Sequence, residues 1–214
     1  MTDRVARKAA LRSELLRRRR LLSVEDAEGA ATVLAAHALE LPELGGADTV
    51  AAYVSIGREP GTRVLLDALH ARGVRVLLPV LLPDNDLDWA AYEGQEGLVR
   101  AARGLLEPSG PRQGVDAVRD AGAVLLPGLA VDRHGMRLGR GGGSYDRVLA
   151  RLESAGPRPP RARVSAAPPV ALPLVVLLYE NEVVDEVPAE PHDHPVHAVV
   201  TPGGVRRFST ARPV

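Results

Sequence analysis

The 214-residue sequence contains no cysteine, a single lysine and a single tryptophan, and only 3% of its residues are aromatic. The lack of cysteine excludes disulfide scaffolds, thiolate zinc sites and cysteine nucleophiles. Hydrophobic residues still make up 45% of the chain, so a packed core is expected, built mainly from Val, Leu and Ala. The length suits one domain with a sizeable core, and we expect residues 1–214 to form a single domain.

Net charge and long apolar runs are also missing. The 27 basic and 27 acidic residues balance, which argues against a general nucleic-acid binder. No apolar run approaches the roughly 20 residues of a membrane helix. The first residues, MTDRVARKAALRSELL, are charged throughout and lack the apolar centre of a signal peptide. We therefore expect a cytoplasmic monomer with no membrane or nucleic-acid partner.

Positive charge is concentrated at the start of the chain. Residues 1–20 contain eight basic and two acidic residues, a surplus that favours an anionic partner or solvent. Residues 3–22 have helical periodicity, with a stripe of leucines that includes Leu15. Lys8 and Arg12 are four positions apart, so they project from the same helix face beside that stripe. On spacing alone, these two cations are better interpreted as solvated side chains.

Alternating helical and strand-like segments predict a three-layer α/β/α domain with a central, mostly parallel sheet. Ser23 and Asp26 resemble a capping box that begins a second helix, and Thr62 is the expected N-cap of a helix over 63–72. Strand-like runs flank that helix, and this βαβ order predicts parallel pairing. Strands are predicted at 48–54, 74–80, 87–92, 123–127, 175–179 and 197–201, a further helix at 145–152, and a proline-rich surface excursion at 156–173.

The most informative segment is RLGRGGGSYD, residues 137–146, which lies between a buried strand with its loop and a helix. Glycines allow a ligand to approach the main chain closely, and successive backbone N–H groups at a helix start bind anions. Arg137 and Arg140 add charged donors, so phosphate is the ligand that this chemistry suits. The segment is not a Walker A loop, and Ser144 replaces the third glycine of a dinucleotide fingerprint. A flexible linker before a helix is the alternative.

The stretch LLPGLAVDRHGMRLGRGGGSYDRVL resembles the signature of the 5-formyltetrahydrofolate cyclo-ligase family. Further matches follow in order along most of the chain. The first helix has a Lys and an Arg four residues apart, and a Tyr-x-Ser strand is followed by a Glu and a Thr. A Glu-Pro lies in mid-chain, and a His-Asp pair precedes a strand that ends in Thr. These residues are Lys8, Arg12, Tyr53, Ser55, Glu59, Thr62, Glu107, Pro108, His192, Asp193 and Thr201.

This resemblance implies an ATP- and Mg²⁺-dependent enzyme that converts 5-formyltetrahydrofolate to 5,10-methenyltetrahydrofolate. The formyl oxygen is phosphorylated, the neighbouring nitrogen attacks the activated carbon, and phosphate leaves. Such chemistry asks the protein mainly for positioning and charge neutralisation.

The resemblance also implies a role for particular residues. Arg137 and Tyr145 are expected to be catalytic, and Asp146 and Asp193 to bind Mg²⁺. A carboxylate at Glu59 suits the donor edge of the pterin. The ATP-binding residues implied are Lys8, Arg12, Arg137, Leu138, Gly139, Arg140, Gly141, Gly142, Gly143, Ser144 and Tyr145. The substrate-binding residues implied are Val54, Glu59, Arg140, Gly141, Gly142, Gly143 and Ser144.

Other functions stay open at this point. A first alternative is a paralogue that keeps the ATP site but acts on another substrate, and Glu59-Pro60 and Ser144 are where such a change would show. A non-catalytic protein that sequesters folate or nucleotide is a second alternative, and an RNA-associated protein that uses the basic first helix is a third. Trp89 is a weaker candidate than Tyr145 for contact with the pterin. The cluster of His192, His194 and His197 is interpreted as a polar loop, with a transition-metal site as the minor alternative.

Overall fold

The computed structural model describes residues 2–154, 172–190 and 193–208. Its helices are α1 (Thr2–Leu21), α2 (Val24–Leu39), α3 (Pro42–Gly45), α4 (Arg63–Ala71) and α5 (Ser144–Ser154). Its strands are β1 (Thr49–Ala51), β2 (Arg75–Leu81), β3 (Leu87–Ala91), β4 (Leu98–Arg100), β5 (Leu106–Pro108), β6 (Ala123–Leu126), β7 (Ala130–Asp132), β8 (Arg137–Leu138), β9 (Leu174–Leu177), β10 (Val183–Val184), β11 (Ala198–Thr201) and β12 (Gly204–Arg207). The predicted excursion at 156–173 lies almost entirely outside the described residues.

A seven-stranded sheet with the order β12-β11-β9-β6-β1-β2-β3 forms the centre. The five inner strands are parallel to one another, whereas β12 and β3 at the two edges are antiparallel to their neighbours. The predicted βαβ unit is confirmed, because β1 and β2 pair in parallel and α4 connects them. Two small sheets, β10-β7-β8 and β4-β5, accompany the large one.

The inner strands are continuous apolar runs because both faces of the sheet are covered. In β6, Ala123 and Leu125 pack in the cluster that contains buried residues of α2 and α4. Val124 and Leu126 point the other way and pack with residues of α5. The predicted α/β fold with a mostly parallel central sheet flanked by helices is thereby confirmed.

Both predicted N-cap positions are confirmed, but only Ser23 caps its helix with a side-chain hydrogen bond. Ser23 caps α2, because its hydroxyl accepts a hydrogen bond from the backbone N–H of Asp26 at 2.9 Å. Thr62 is the N-cap residue of α4, and its carbonyl accepts the N–H of Leu66 at 2.9 Å, but its side chain makes no capping hydrogen bond. Its hydroxyl accepts from the N–H of Ser55 at 2.9 Å, and its own N–H donates to the Ser55 hydroxyl at 3.1 Å. The side chain of Thr62 therefore closes the 55–62 loop, which carries Glu59, instead of satisfying a helix terminus.

Helix α1 packs against the β10-β7-β8 sheet. Leu15, which is 1% exposed, lies in a cluster with Leu129, Ala130, Leu138 and Val187. Near its end, the Arg19 guanidinium forms a paired contact with the Glu182 carboxylate at 2.6 and 2.9 Å. Within the described residues, no helix combines the length and the apolar character that crossing a membrane requires.

Candidate active site

A cavity of about 350 Å³ opens at the carboxyl ends of the parallel strands. The chain runs from β1 to β2 on one side of the sheet, whereas β6, β9 and β11 extend the sheet on the other side. Ligands of open α/β sheets bind in the crevice where the connections diverge in this way. Tyr53 and Val54, just after β1, and Pro127 and Gly128, just after β6, line the cavity.

Every site residue implied by the family resemblance lines this one cavity, although the residues come from distant parts of the sequence. Lys8 and Asp193, for example, are 185 positions apart and in contact. The structure therefore brings the implied residues together, and their individual roles stay predictions. The lining residues among them are Lys8, Arg12, Val54, Glu59, Arg137, Leu138, Gly139, Arg140, Gly141, Gly142, Gly143, Ser144, Tyr145, Asp146 and Asp193.

The glycine-rich loop folds tightly between β8 and α5. Gly141 and Gly143 have φ angles of +90° and +77°, a region that residues with a Cβ adopt at a cost. The guanidinium of Arg12 holds the loop from α1, because its Nε donates to the carbonyl of Gly139 at 2.9 Å. A Cβ on Gly141 would lie 3.4 Å from the Arg12 guanidinium carbon. The loop ends where α5 begins at Ser144, so it presents the backbone geometry of an anion site at a helix start.

Arg137 and Tyr145 each bring a buried polar atom without a partner to this cavity. Arg137 donates to the carbonyl of Pro127 at 2.9 Å and contacts Asp146 at 3.4 Å. Among the described residues, neither the Arg137 Nε nor the Tyr145 hydroxyl has a hydrogen-bond partner. Burial lowers the pKa of Arg137, but the ordinary pKa of a guanidinium is so far above neutral that the side chain stays cationic at pH 7. Burial also raises the pKa of Tyr145, so its hydroxyl stays a neutral donor. Orphaned donors of this kind indicate where a ligand oxygen is expected.

Lys8 engages two carboxylates from a distant part of the chain. The Lys8 ammonium lies 2.7 Å from Glu190 Oε2 and 2.7 Å from Asp193 Oδ2. Burial disfavours the charged ammonium, but the hydrogen bonds to Asp193 and Glu190 outweigh it and raise the pKa of Lys8. The interpretation of Lys8 as a solvated side chain is wrong, because the residue is 7% exposed.

Asp146 and Asp193 fit a magnesium ion by the chemistry of their donors. Mg²⁺ in phosphate sites is held by one or two carboxylates together with phosphate oxygens and water, and these two carboxylates line the cavity beside the glycine-rich loop. Asp146 is in the first turn of α5 and half-exposed. In the described part of the chain, no three His, Cys, Asp or Glu side chains are grouped to hold a metal by themselves.

The histidines near residue 195 have separate contacts. His194 Nδ1 lies 2.8 Å from a carboxylate oxygen of Glu153. His197 Nδ1 accepts from the backbone N–H of Leu174 at 3.0 Å. His192 lies outside the described residues.

Glu59 is held in place by its own loop. Its Oε2 accepts from the N–H of Ile56 at 2.9 Å, and its Oε1 lies 3.1 Å from Arg140 Nε. The Glu59 side chain is 8% exposed, whereas that of Arg140 is about half-exposed. The carboxylate is therefore fixed at the cavity wall, with one oxygen paired to a side chain that can reach solvent.

Comparisons with known proteins identify the family of this chain. A model of the 5-formyltetrahydrofolate cyclo-ligase family matches residues 4–202. The chain belongs to this family. A relative named 5-formyltetrahydrofolate cyclo-ligase from Mycolicibacterium smegmatis is 38% identical over 200 residues, covering 91% of this chain and 93% of the relative. One of the same name from Escherichia coli is 31% identical over 190 residues, covering 88% and 96%. The NMR structure of Aquifex aeolicus 5,10-methenyltetrahydrofolate synthetase superposes with a TM-score of 0.75 at 27% identity, covering 97% of this chain and 95% of that one. The predicted family is confirmed, and with it the assignment to the ligases of folate metabolism.

Several lining residues of this cyclo-ligase site were not predicted. Glu107 accepts the backbone N–H of Leu81 at 2.9 Å, and only its Glu-Pro match to the family singled it out. Arg103 lies at the rim and donates to the Asn85 side chain at 2.9 Å. Five others form an apolar wall, which carries no sequence signal distinct from the core: Pro79, Leu81, Leu87, Leu105 and Leu106.

Trp89 is not one of the residues that line the cavity. It is fully buried in the cluster on the α5 side of the sheet. Its candidacy for pterin contact is therefore wrong, because β3 places its ring in the core.

Proposed function

We propose that this chain converts 5-formyltetrahydrofolate to 5,10-methenyltetrahydrofolate with ATP and Mg²⁺, as a monomeric single domain of residues 1–214 in the cytoplasm. The observation that carries the proposal is the meeting of Lys8 and Arg12 with the glycine-rich loop and Glu59 in one cavity. Family membership supports the reaction, and the charge pattern of the cavity supports the co-substrate.

The reaction needs ATP because the oxygen of an amide is a poor leaving group. The formyl oxygen forms a bond to the γ-phosphorus as the bond from that phosphorus to ADP breaks. The neighbouring nitrogen then attacks the activated carbon, and the oxygen leaves as part of inorganic phosphate. The products are methenyltetrahydrofolate, ADP and phosphate. Mg²⁺, when bound, neutralises phosphate charge during the transfer.

The cationic end of the cavity is assigned to the triphosphate. Lys8 and Arg12 reach it from α1, and the backbone of residues 139–144 offers N–H donors. Arg137 is assigned to the transferring phosphoryl group, because its buried guanidinium has a donor to spare. A charged donor acts most strongly where water is excluded and the protein has fixed its position. Asp146 and Asp193 are assigned to hold the metal.

The folate is assigned to the part of the cavity that apolar side chains and Glu59 line. The apolar wall of Leu105, Leu106 and their neighbours suits flat aromatic rings. Glu59 offers a fixed carboxylate to the amino and ring N–H donors of the pterin. Val54 and the ring of Tyr145 complete this part, with the Tyr145 hydroxyl available as a donor to the reacting oxygen.

The test is to follow the ultraviolet absorbance of methenyltetrahydrofolate with purified protein, 5-formyltetrahydrofolate and Mg²⁺, with and without ATP. Product is expected only with ATP. Arg137→Lys should lower kcat by about 10²- to 10³-fold, as removal of one transition-state donor does elsewhere, because an ammonium cannot reproduce the guanidinium fork. Arg133→Lys is the matched control, since Arg133 is exposed and does not line the cavity.

The outcomes separate the alternatives. If folate binds but no product forms, the chain is a sequestering binder. If ATP is consumed without folate turnover, the phosphate site serves another substrate. An Arg137→Lys enzyme as fast as Arg133→Lys would remove Arg137 from the mechanism.

A further inference from the structure

Arg103 lies apart from the other cations that line the cavity. Four of the five lining cations lie on α1 or in residues 137–140, where the proposed function places the triphosphate: Lys8, Arg12, Arg137 and Arg140. Arg103 lines the cavity from the turn of the β4–β5 hairpin, which also supplies Leu105 and Leu106 to the apolar wall. Arg103 is therefore a cation beside the part of the cavity that is assigned to the folate, and the phosphate site does not explain it.

The only described partner of the Arg103 guanidinium is neutral. Its Nη1 donates to the side-chain oxygen of Asn85 at 2.9 Å. Within the described residues, Arg103 makes no other hydrogen bond and no ion pair. A guanidinium has five N–H donors, so most of them stay available to a ligand. The side chain is exposed, and an anion that approaches the cavity from solvent can reach it.

The bond between Arg103 and Asn85 joins two unusual turns. In the described chain these two are the residues other than glycine that have a positive φ, at +59° and +66°. A residue with a Cβ adopts this region at a cost, which is smallest for asparagine and larger for arginine. Conformations of this kind are concentrated at functional sites and ligand clamps. An arginine in a turn that glycine would form more easily indicates that the cation has a function at this position.

Further contacts fix both turns relative to the cavity. On the hairpin, Glu107 Oε1 accepts the N–H of Leu81, the last residue of β2, at 2.9 Å. In the turn that contains Asn85, Asp86 forms an ion pair with Arg151 of α5 at 2.5 Å. Helix α5 begins where the glycine-rich loop ends. The backbone that carries Arg103 is therefore held in a defined position relative to both the apolar wall and the phosphate loop.

We propose that Arg103 binds a carboxylate of the glutamate tail of the folate and makes the enzyme selective for substrates that carry this tail. The inference rests on the proposed function and assigns the one part of the substrate that has no partner so far. The pterin edge of 5-formyltetrahydrofolate suits Glu59, its flat aminobenzoyl ring suits the apolar wall, and its glutamate requires a cation. Arginine and a carboxylate form paired, charge-assisted hydrogen bonds.

The contact can be measured by removing either of its two sides. The matched ligand is an analogue of 5-formyltetrahydrofolate in which a neutral primary amide replaces the glutamate. Because Arg103 is exposed, we expect the wild type to bind the folate only about tenfold more tightly than the amide analogue. Arg103→Met should lose this discrimination, through weaker binding of the folate and unchanged binding of the analogue. Such non-additivity isolates the interaction between the residue and the removed group.

The experiment measures the Kd of both ligands by isothermal titration calorimetry, in the presence of Mg²⁺ and a non-hydrolysable ATP analogue. Arg103→Glu should weaken folate binding further by repulsion and leave the amide analogue unaffected. Arg100→Met is the control, because Arg100 lies on the same hairpin, is exposed and does not line the cavity. It should retain the discrimination of the wild type. Circular dichroism melting checks that each variant is folded.

An equal loss of affinity for both ligands in Arg103→Met would overturn the inference, because Arg103 would then act only through the structure of the hairpin. A wild type that does not discriminate, or an Arg103→Met variant that discriminates as the wild type does, would overturn it as well. Turnover of the wild type is assayed separately by methenyl absorbance. Product without discrimination leaves the proposed function standing and removes the role of Arg103. Discrimination without product keeps that role and removes the reaction, and binding of neither ligand removes both.

Discussion

Replacement of Arg19 by methionine should destabilise the protein strongly, because it leaves the buried carboxylate of Glu182 without its cationic partner. The side chains of Arg19 and Glu182 are both 3% exposed. Arg19 gives Glu182 two hydrogen bonds and donates a third to the carbonyl of Gly128 at 2.7 Å. Burial already raises the pKa of Glu182 despite the facing guanidinium. Without Arg19, the carboxylate keeps only the N–H of Tyr179 as a described donor.

The loss in the free energy of unfolding depends on which charged group stays buried and unpaired after the substitution. Breaking a buried ion pair by removing one partner costs about 3–5 kcal/mol, whereas replacing both partners with well-packed neutral groups is often close to neutral. We therefore expect Arg19→Met to cost about 4 kcal/mol and the double variant Arg19→Met/Glu182→Gln to recover most of that loss. Arg18→Met is the control, since its contact with Glu14 is exposed and such pairs contribute less than about 1 kcal/mol.

Urea unfolding measures all three variants. With a slope of about 3 kcal/mol/M, Arg19→Met should lower the midpoint by more than about 1 M, and Arg18→Met should lower it by less than about 0.3 M. A single variant that loses less than about 1 kcal/mol would refute the reasoning, because the carboxylate would then have found water or another partner. A double variant less stable than Arg19→Met would also refute the reasoning, because the loss of stability would then come from packing rather than from an unpaired buried charge.

Three further predictions concern the glycine-rich loop, the histidine that precedes β11 and the core. Gly143→Ala should cost about 1–2 kcal/mol, because the φ of Gly143 is +77°, and should raise the KM for ATP. Gly110→Ala is the neutral control in the same urea and kinetic assays, because Gly110 has open space around it, has no positive φ and does not line the cavity. Burial lowers the pKa of His197, so as the pH falls through about 6.5 the unfolded chain binds a proton before the folded chain does. The urea concentration at the midpoint of unfolding should therefore decrease when the pH is lowered below about 6.5 in the wild type, and it should decrease less in His197→Asn. Trp89→Phe should lower the melting temperature but leave the folate KM within about twofold; a larger change in KM would place the indole in contact with the substrate.

Apolar runs predicted six of the seven strands of the large sheet, whereas β12 was missed because its residues are mostly exposed. The runs at 74–80 and 123–127 correspond to β2 and β6, and burial on both faces made them continuously apolar. The β10-β7-β8 sheet was missed because strands such as Val183–Val184 have two or three residues, too few to display an alternation. The antiparallel direction of β3 also escaped prediction, because a strand pattern gives no direction.

The sequence predicted the site residues that are contiguous and chemically distinctive. It did not predict contacts between residues that are far apart in the chain. The residues of the glycine-rich loop could be assigned because they are contiguous. The partners of Lys8 could not, because Glu190 lies 182 positions away in a segment that reads as an ordinary polar loop. The wall formed by Leu105 and its neighbours was missed because an apolar side chain that faces a ligand looks like one that faces the core.

In the first helix, the cations that meet buried acceptors lie on the same face as the apolar residue Leu15. At 100° per residue, Lys8, Arg12, Leu15 and Arg19 fall within about 60° of one another, and this stripe faces the protein. Leu15 packs into a core, whereas Lys8 and Arg19 are 7% and 3% exposed and each meets a carboxylate. A cation at a buried stripe position must have an acceptor, since burying an unpaired charge is too costly. Such a cation in a helix therefore predicts a distant acid or carbonyl, whereas the arginines off the stripe, such as Arg17 and Arg18, need only Glu14 and water. The positive charge of the first helix therefore comes from two groups of residues, and only the group on the same helix face as Leu15 belongs to the candidate site or supports it.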